Sequence, residues 1–583
     1  MSARNDLGAC LAALLALSVS GAAMAQAVER NLPTPEKAPG GPALSAPALT
    51  LSDDDKPLGP PLAGVVLLGA GEAINSGGES GGGAGIDATR LPPEAARAVA
   101  ARLKRLVGKP LSRRLISRVQ AATTEAYRAL GRPFVSVVVP PQDVSTGVLR
   151  LRVVEYRLED VRVTGVEGRA ARYVRSRVRQ KAGRLVDAPR LETDLDWLNR
   201  DPFRQVGAVF APGKEPGTTT LTLEVTQARP LAVYAGYSNS GTHSTGFDRY
   251  FTGFTLGDAV IPGALLSYQF SGSKDAWYNG RDYLQFRTHP SYLSHGAVLD
   301  VPLAPRQELS FTLSAVETNQ PVQAFVVRQS FIELSAVYKT ALGNFLPLPG
   351  DVSLGVEAKR QDRNVFFGAT KVVASPADVG QFVASWTAST GGVWGRGNIT
   401  LSERYSPGGF GAHGDDADYS AATTGRVTSA NYLYTSLALN AAFRLPKGLV
   451  LETALTGQYS PRPLLATEQA GIGGEGGARV YTNDDGAFDQ SLVWRNTLRV
   501  PQIPLVPKWV NGITLSPYLF VDGAYGRSVG VTGHVSAADA GLGADLQVTR
   551  HLRASFNGGW AMQDAPATRA GDFRLNTRIT TSF

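Results

Sequence analysis

Three short stretches hold residue types that could do chemistry. "GRSVG", Gly526 to Gly530, sets Ser528 in the G-x-S-x-G frame of a nucleophile elbow, which would present a serine for acyl transfer. That device needs a helix after the turn, and the following "VTGHVS" has no helical periodicity. "LLGAGEAI" has glycines at the first two positions of a dinucleotide fingerprint but Ile74 at the third, and a Gly/Ser run follows instead of a helix. "DDD", Asp53 to Asp55, lacks calcium-loop spacing and reads as a solvated linker. The six histidines show no metal-ligand spacing. No catalysis, metal or cofactor is therefore expected.

A fourth stretch offers charge rather than catalysis. "EQAGIGGEGGARVYTNDD", Glu468 to Asp485, holds one cation, Arg479, between a glycine run and the carboxylates Asp484 and Asp485. The glycines read as a long mobile loop. Its arginine is either solvated at a surface or paired with a carboxylate elsewhere, and the surrounding elements decide which.

Those elements belong to an exported chain. Met1 to Ala25 reads as a signal peptide: Arg4 in a polar start, the apolar run Leu11 to Val19, and Ala23-Met24-Ala25 as an A-x-A cleavage site before Gln26. The apolar run is too short to span a bilayer as a helix. Cys10 precedes that run, so the lipoprotein-like "LGAC" is not expected to be lipidated. It is the only cysteine, and the mature chain is expected to use neither disulfides nor thiolate metal sites. With 583 residues, 43% hydrophobic and 19% charged, the chain has room for several domains, and no later run of about 18 apolar residues predicts a membrane helix. Its isoelectric point of about 9.4 reflects arginines concentrated between Arg90 and Arg190. In an exported protein this favours a solvated face or an acidic protein partner over nucleic acid.

The hydrophobic period changes near residue 230. Before it, two βααββ units follow one another, at 62–156 and 157–228, after a Pro-rich tail at 26–61. In the first, Pro92 to Val107 and Leu111 to Leu130 read as helices, with Leu115, Val119, Ala122, Ala126 and Leu130 on one face. Pro133 to Pro141 and Gly147 to Tyr156 read as strands, and Gly71 to Gly85 as a flexible insertion. The second runs through the strand Glu159 to Val166, a helix around Ala170 to Lys181, and a helix N-capped by Asp187 with Leu191, Leu195 and Leu198 inward. It closes on strands at Val206 to Gly213 and Thr218 to Gln227.

From 229 to 583 nearly everything alternates with period two. Leu433, Thr435, Leu437, Leu439, Ala441, Phe443 and Leu445 share one face and Tyr434, Ser436, Asn440 and Arg444 the other, before a turn at Pro446 to Gly448. Leu542, Ala544, Leu546 and Val548 do the same and return after Arg550 as Leu552, Ala554, Phe556 and Trp560. Apolar-out, polar-in segments of about ten residues mark a transmembrane β-barrel. A soluble β-sandwich has the same alternation, but the long strands, glycine-rich loops, signal peptide and missing cysteines favour the barrel. At about 22 residues per strand with its share of loop, Leu231 to Phe583 makes about 16 strands. The last, "FRLNTRITTSF", turns Phe573, Leu575, Ile579 and Phe583 outward and Arg574, Asn576 and Arg578 inward. Phe583 and Ile579 are expected to act in an assembly signal at the periplasmic rim. Counting back from Phe583 puts Pro446 to Gly448 and Thr549 to His551 on the periplasmic side and makes Ser460 to Gln490 an extracellular-side loop.

With these features in place, the chain resembles the two-partner secretion transporters of the ShlB/FhaC/HecB family, the hemolysin secretion/activation proteins. Signal, tail, two POTRA units and barrel together cover essentially all of it. "GRPFVSVVVPPQDVSTGVLRLRVVE", with Pro141-Gln142 and Gly147, resembles the end of the first POTRA domain; "LNRDPFRQVGAVFAPGKEPGTTTLTLEV" resembles the second, and "YSNSGTHSTG" the start of the barrel. "LLATEQAGIGGEGGARVY" is similar to the family's sixth extracellular loop, whose Val-Arg-Gly-Tyr tetrad reads Ala478-Arg479-Val480-Tyr481 here. The family's Phe-x-Asp-x-Gly motif on the thirteenth strand appears as Phe520-Val521-Asp522-Gly523-Ala524, its last glycine displaced by one. The departures at Val480 and Ala524 bear on local backbone geometry more than on charge.

The resemblance implies a β-rich fold: a transmembrane antiparallel barrel of about 16 strands after two periplasmic α+β POTRA domains. Leu515, Leu519 and Val521 then face lipid, so Phe520 and Asp522 face the lumen, where Arg479 on an inward-folded loop can form a bidentate pair with Asp522. It implies a protein-conducting channel that binds an unfolded exoprotein by strand addition. The expected partners are the exoprotein's N-terminal secretion domain, outer-membrane lipid and the barrel assembly machinery. The loop at 460–490 and the tail would occlude the resting pore, although no amphipathic plug helix is visible in the tail. An insertase that assembles other barrels is the alternative, and a passive porin a third reading with no use for POTRA units.

Overall fold

The computed structural model describes residues 52–69, 85–132, 134–215, 217–277, 289–346, 348–505 and 512–583. The signal peptide, most of the Pro-rich tail and nearly all of the glycine/serine insertion lie outside the described residues. The chain divides at Arg229–Pro230 into two compact units.

The N-terminal unit repeats one topology, with one added strand in the first module. Its first module runs β1 (Gly64–Leu68), β2 (Gly85–Asp87), α1 (Pro93–Leu103), α2 (Arg113–Ala129), β3 (Val135–Val138) and β4 (Val148–Glu155). Its second runs β5 (Arg157–Thr164), α3 (Gly168–Arg177), α4 (Ala188–Leu198), β6 (Arg204–Pro212) and β7 (Thr218–Gln227). In each, the opening strand pairs parallel with the closing one, and the strand before the closing one pairs antiparallel with it. Parallel pairing needs a crossover, which the two helices supply.

Local chemistry sets the boundaries. The second helix begins at Arg113 rather than Leu111 because Ser112 caps it, its Oγ accepting from Leu115 N at 3.2 Å. Leu130, expected on the inward face, lies past the last turn and is exposed. Asp187 caps α4 by accepting from Arg190 N at 3.0 Å, and Leu191, Leu195 and Leu198 join Leu158, Leu221 and Leu223 in the second core. The Gln142 amide behaves as a fragment of strand: its Oε1 accepts from Arg150 N and its Nε2 donates to Arg150 O, both at 2.7 Å. Gly147 has φ +74°, and a Cβ there would lie 2.6 Å from the Pro61 carbonyl, so a side chain would be both strained and blocked.

The second unit is a closed antiparallel barrel. Among the described residues it has sixteen strands when the two-residue segment Ile503–Pro504 is counted as the continuation of Gln490–Arg499, since both pair with Thr514–Arg527. Strand 1 is Leu231–Ser238, strand 7 Asp351–Phe367, strand 8 Thr370–Gly392, strand 9 Gly395–Ser406 and strand 10 Tyr432–Arg444. Strand 12 is Gln490–Arg499 with its continuation, strand 13 Thr514–Arg527, strand 14 Val535–Gln547, strand 15 Leu552–Ala561 and strand 16 Phe573–Ser582. Leu433, Leu519, Val521, Leu542, Trp560 and Leu575 are exposed on the outer wall, while Tyr434, Phe520 and Asp522 are buried on the inner one. No helix among the described residues is long and apolar enough to cross a membrane, and the crossing belongs to the strands. The serine of "GRSVG" falls in the turn between strands 13 and 14, so a strand and not a helix follows it.

Strands 16 and 1 close the barrel through a short register, Tyr234↔Ser582 to Ser238↔Arg578. Asn239 lengthens it: its N–H donates to Thr577 O, its Oδ1 accepts from Thr577 N at 2.7 Å and its Nδ2 donates to Leu575 O at 2.6 Å. Phe583 continues the ladder with Val233 in both directions and stacks on His551 at 5.0 Å between ring centroids. Ile579 faces outward from the middle of strand 16. Deleting Phe583, or changing Ile579 to Arg, is expected to lower the amount of folded barrel sharply. The arginine adds a penalty of up to about 2–4 kcal/mol where it sits deep in the bilayer. Heat-modifiable folded barrel in membrane fractions measures this, and normal amounts of both variants would contradict the role given to strand 16.

Candidate functional site: a loop anchored across the lumen

The segment from Ser460 to Asp489 joins strands 11 (Val450–Tyr459) and 12 at the end of the barrel away from Phe583. The glycine run folds instead of trailing. Ala470–Gly471 pairs with Ala487–Phe488, Gly473 bridges to Ala478, and Ala478 N donates to Ile472 O at 2.9 Å. A Cβ on Gly477 would lie 2.3 Å from the Ile472 carbonyl, so the close turn needs glycine. Thr482 and Asp485 form a reciprocal capping box. The segment is therefore a folded hairpin, pinned along its length.

At the tip, Arg479 Nε lies 3.5 Å from Asp522 Oδ2, with 12% of the arginine side chain and 0% of the aspartate exposed. The guanidinium carbon sits 4.6 Å from the Phe520 ring centroid, a cation–π distance, and Nη2 donates to Thr497 Oγ1 at 2.6 Å. Asn576 Nδ2 donates to the Arg479 carbonyl at 2.9 Å. The tip thus touches strands 12, 13 and 16. The ion pair is a single side-on contact rather than the bidentate fork that sequence suggests, because stacking on Phe520 and donation to Thr497 fix the guanidinium plane. Tyr481 donates its hydroxyl to Gln563 O at 2.8 Å, beyond strand 15. Loop and wall thus bring Arg479, Phe520 and Asp522 together, whereas Tyr481, also singled out in sequence, is held beside them by Ala538 and Gln563.

The two departures from the family pattern meet in one cluster. Val480 and Ala524 are buried with Ile472, Ala478, Tyr481, Ala537, Ala561 and Ala565. Val480 N donates to Asp539 Oδ2 at 2.8 Å, so the backbone at 480 is held without glycine. The missing glycines are replaced by methyl groups that fill apolar space between hairpin and wall.

A second anchor, at the loop base, is not visible in sequence. Lys359 Nζ on strand 7 lies 2.9 Å from Glu468 Oε1 and 3.2 Å from Glu357 Oε2. Gln381 on strand 8 donates to both carboxylates, Tyr434 on strand 10 donates to Glu468 at 2.9 Å, and Arg404 on strand 9 reaches Glu357 at 3.4 Å. Two cations thus face the two carboxylates in this cluster. Removing one member of such a pair strands the other at a cost of about 3–5 kcal/mol. Beyond the tip, Asp484 accepts from Ser244 Oγ at 2.8 Å, Asp485 from Ala567 N and Thr568 Oγ1, and Asp489 from Leu464 N and Val529 N while pairing with Arg426 at 3.0 Å. The acidic residues flanking Arg479 are thus pins to neighbouring loops.

This arrangement, a closed barrel with a loop pinned inside it, coincides with what the sequence matches. Residues 349–547 match the haemolysin secretion/activation protein ShlB/FhaC/HecB family, and residues 86–155 match the ShlB-type POTRA domain. The two matched segments, one in the barrel and one in the first module, tie both parts of the chain to ShlB-type proteins. The outer membrane transporter CdiB of Dickeya dadantii (strain 3937) is 25% identical over 383 residues, 61% of each chain. The heme/hemopexin transporter protein HuxB of Haemophilus influenzae is 23% identical over 153 residues, 26% of this chain and 27% of that one. The chain therefore spans about three fifths or less of the length of these curated relatives. Among solved structures, CdiB from Escherichia coli superposes with a TM-score of 0.69 at 19% identity, covering 92% of this chain and 93% of that one. CdiB from Acinetobacter baumannii gives 0.63 at 15% identity, covering 94% and 95%. These likenesses show that the chain has the fold of those structures.

Proposed function

We propose that this chain is an outer-membrane protein-conducting channel that captures an unfolded exoprotein through periplasmic POTRA modules and passes it outward through the barrel. The observation that carries the reading is the hairpin at 460–489. It occupies the lumen through discrete polar anchors, at Glu468 and at Arg479, and a device of that kind has use in a pore that must be closed at rest and open to a chain. Exoprotein folding outside the cell supplies the direction, and no catalytic step is needed. The exoprotein's N-terminal secretion domain, outer-membrane lipid and the barrel assembly machinery are the partners this reading requires.

Capture has a candidate edge. On β6, Val206 exchanges both backbone groups with the Asn199 side chain, at 2.6 and 3.1 Å, so its N–H and C=O point away from β7. Ala208 and Phe210 share that parity. No described residue hydrogen-bonds their outward backbone groups, so they are open to an added strand. Changing Ala208 to Pro removes one edge donor and is expected to cut export several-fold while the barrel inserts normally. Export of the partner at matched membrane levels measures this. Unchanged export would move capture to another surface.

A further inference from the structure

Asp522 has a second cation beside it that the loop does not carry. Arg495 on strand 12 is the direct register partner of Asp522 on strand 13, and its Nε lies 4.0 Å from Asp522 Oδ2. Cross-strand partners of opposite charge face each other at a Cβ separation of about 4.5–5.5 Å, so this pair needs only a rotamer change to close. It is not closed because the loop holds the arginine: Arg495 Nη1 donates to the Glu475 carbonyl of the hairpin at 2.8 Å. Arg495 Nε and Asp522 Oδ2 are both without a hydrogen-bond partner among the described residues. Glu475 is in turn held by Arg578 on strand 16. Arg479 and Arg495 also line the same lumenal cavity of about 600 Å³, with Asn398, Glu452 and Thr497, so both guanidiniums have room to move.

We propose that Arg495 is a positioning residue that takes over Asp522 when the hairpin withdraws. With the hairpin in place, Asp522 faces Arg479, and Arg495 is drawn onto the hairpin backbone. As the hairpin leaves, the Glu475 carbonyl goes with it, Arg495 is released, and it closes on its cross-strand partner. Asp522 then never stands in the wall without a cation. This removes the penalty of exposing a lone, half-desolvated carboxylate, which would otherwise oppose opening. The inference rests on the reading that the hairpin moves during transport.

The test uses purified full-length protein in planar bilayers, scoring open probability, together with the maleimide reactivity of a reporter thiol introduced by Gly476→Cys. That position has open space around it, and the chain's only cysteine, Cys10, lies in the segment read as signal peptide. Arg495→Gln is expected to lower both open probability and reporter reactivity about tenfold when Asp522 is intact. Arg495→Lys, which keeps the cation, is expected to restore both. In an Asp522→Asn background, Arg495→Gln is expected to change neither, because no carboxylate remains to be handed over. Equal effects in both backgrounds, or no effect of Arg495→Gln while Arg479→Ala opens the channel, would overturn the handover alone. A reporter thiol that reacts identically in every variant, Arg479→Ala included, would overturn the moving hairpin and the handover together.

Discussion

Replacing Leu195 with Asp is expected to stop export while leaving the barrel in the membrane. Leu195 is 8% exposed and packs in the core that α4 shares with β5, β6 and β7. Losing a buried leucine side chain alone costs about 2–5 kcal/mol. The new carboxylate adds a desolvation penalty. Set against a typical domain stability of about 5–15 kcal/mol, this is enough to unfold a small module. The barrel has its own core clusters and its own closure, so heat-modifiable barrel should persist while periplasmic protease cuts the second module. Export that continued with the module demonstrably unfolded would contradict capture by that module.

The other large effect concerns the tip of the hairpin. Arg479→Ala and Asp522→Ala are each expected to impair secretion with the barrel still assembled. Arg479→Ala removes the ion pair, the stacking on Phe520 and the bond to Thr497 at once. Asp522→Ala leaves Arg479 and Arg495 facing each other in the wall without their carboxylate. Exposed ion pairs contribute about 0–1 kcal/mol. This one is shielded, so its coupling is expected to exceed that range. Exchanging the two charges, Arg479→Asp with Asp522→Arg, should recover only part of the activity. A guanidinium carried by the wall could not reproduce the stack that Phe520 receives from the hairpin.

What is legible in sequence and what is not divides along physical lines. Period-two alternation is a local property, so Leu433 against Tyr434 and Leu519 against Phe520 can be assigned to opposite walls before any strand is paired. Strand parity, counted back from Phe583, then places the hairpin at the far end of the barrel and Asp522 on strand 13. Helix caps are only half readable. Asp187 stands before a clear apolar period, whereas Ser112 merges with the helix it caps because Leu111 extends the same apolar face.

The base anchor is hidden for a different reason. Glu468 and Lys359 are 109 positions apart, and a single inward lysine on a barrel strand is ordinary for a polar lumen. Nothing local distinguishes Lys359 from other lumenal cations until the hairpin delivers Glu468 to it. Arg495 is hidden in the same way, since its meaning comes from the register that sets it opposite Asp522. The hairpin's own fold is hidden too, because a glycine run signals either a loose segment or a tight one. At Gly477 it is the tight one, with a carbonyl where a side chain would sit.

Arg479 and Asp522 are proposed to act as one unit that positions the hairpin. A double-mutant cycle on export rate, using Arg479→Ala, Asp522→Ala and both together at equal membrane levels, tests it most directly. Strong non-additivity is expected, with the double variant little worse than the more damaging single one. Additive losses would mean that the two residues act independently, and Arg479 would then be an ordinary loop cation.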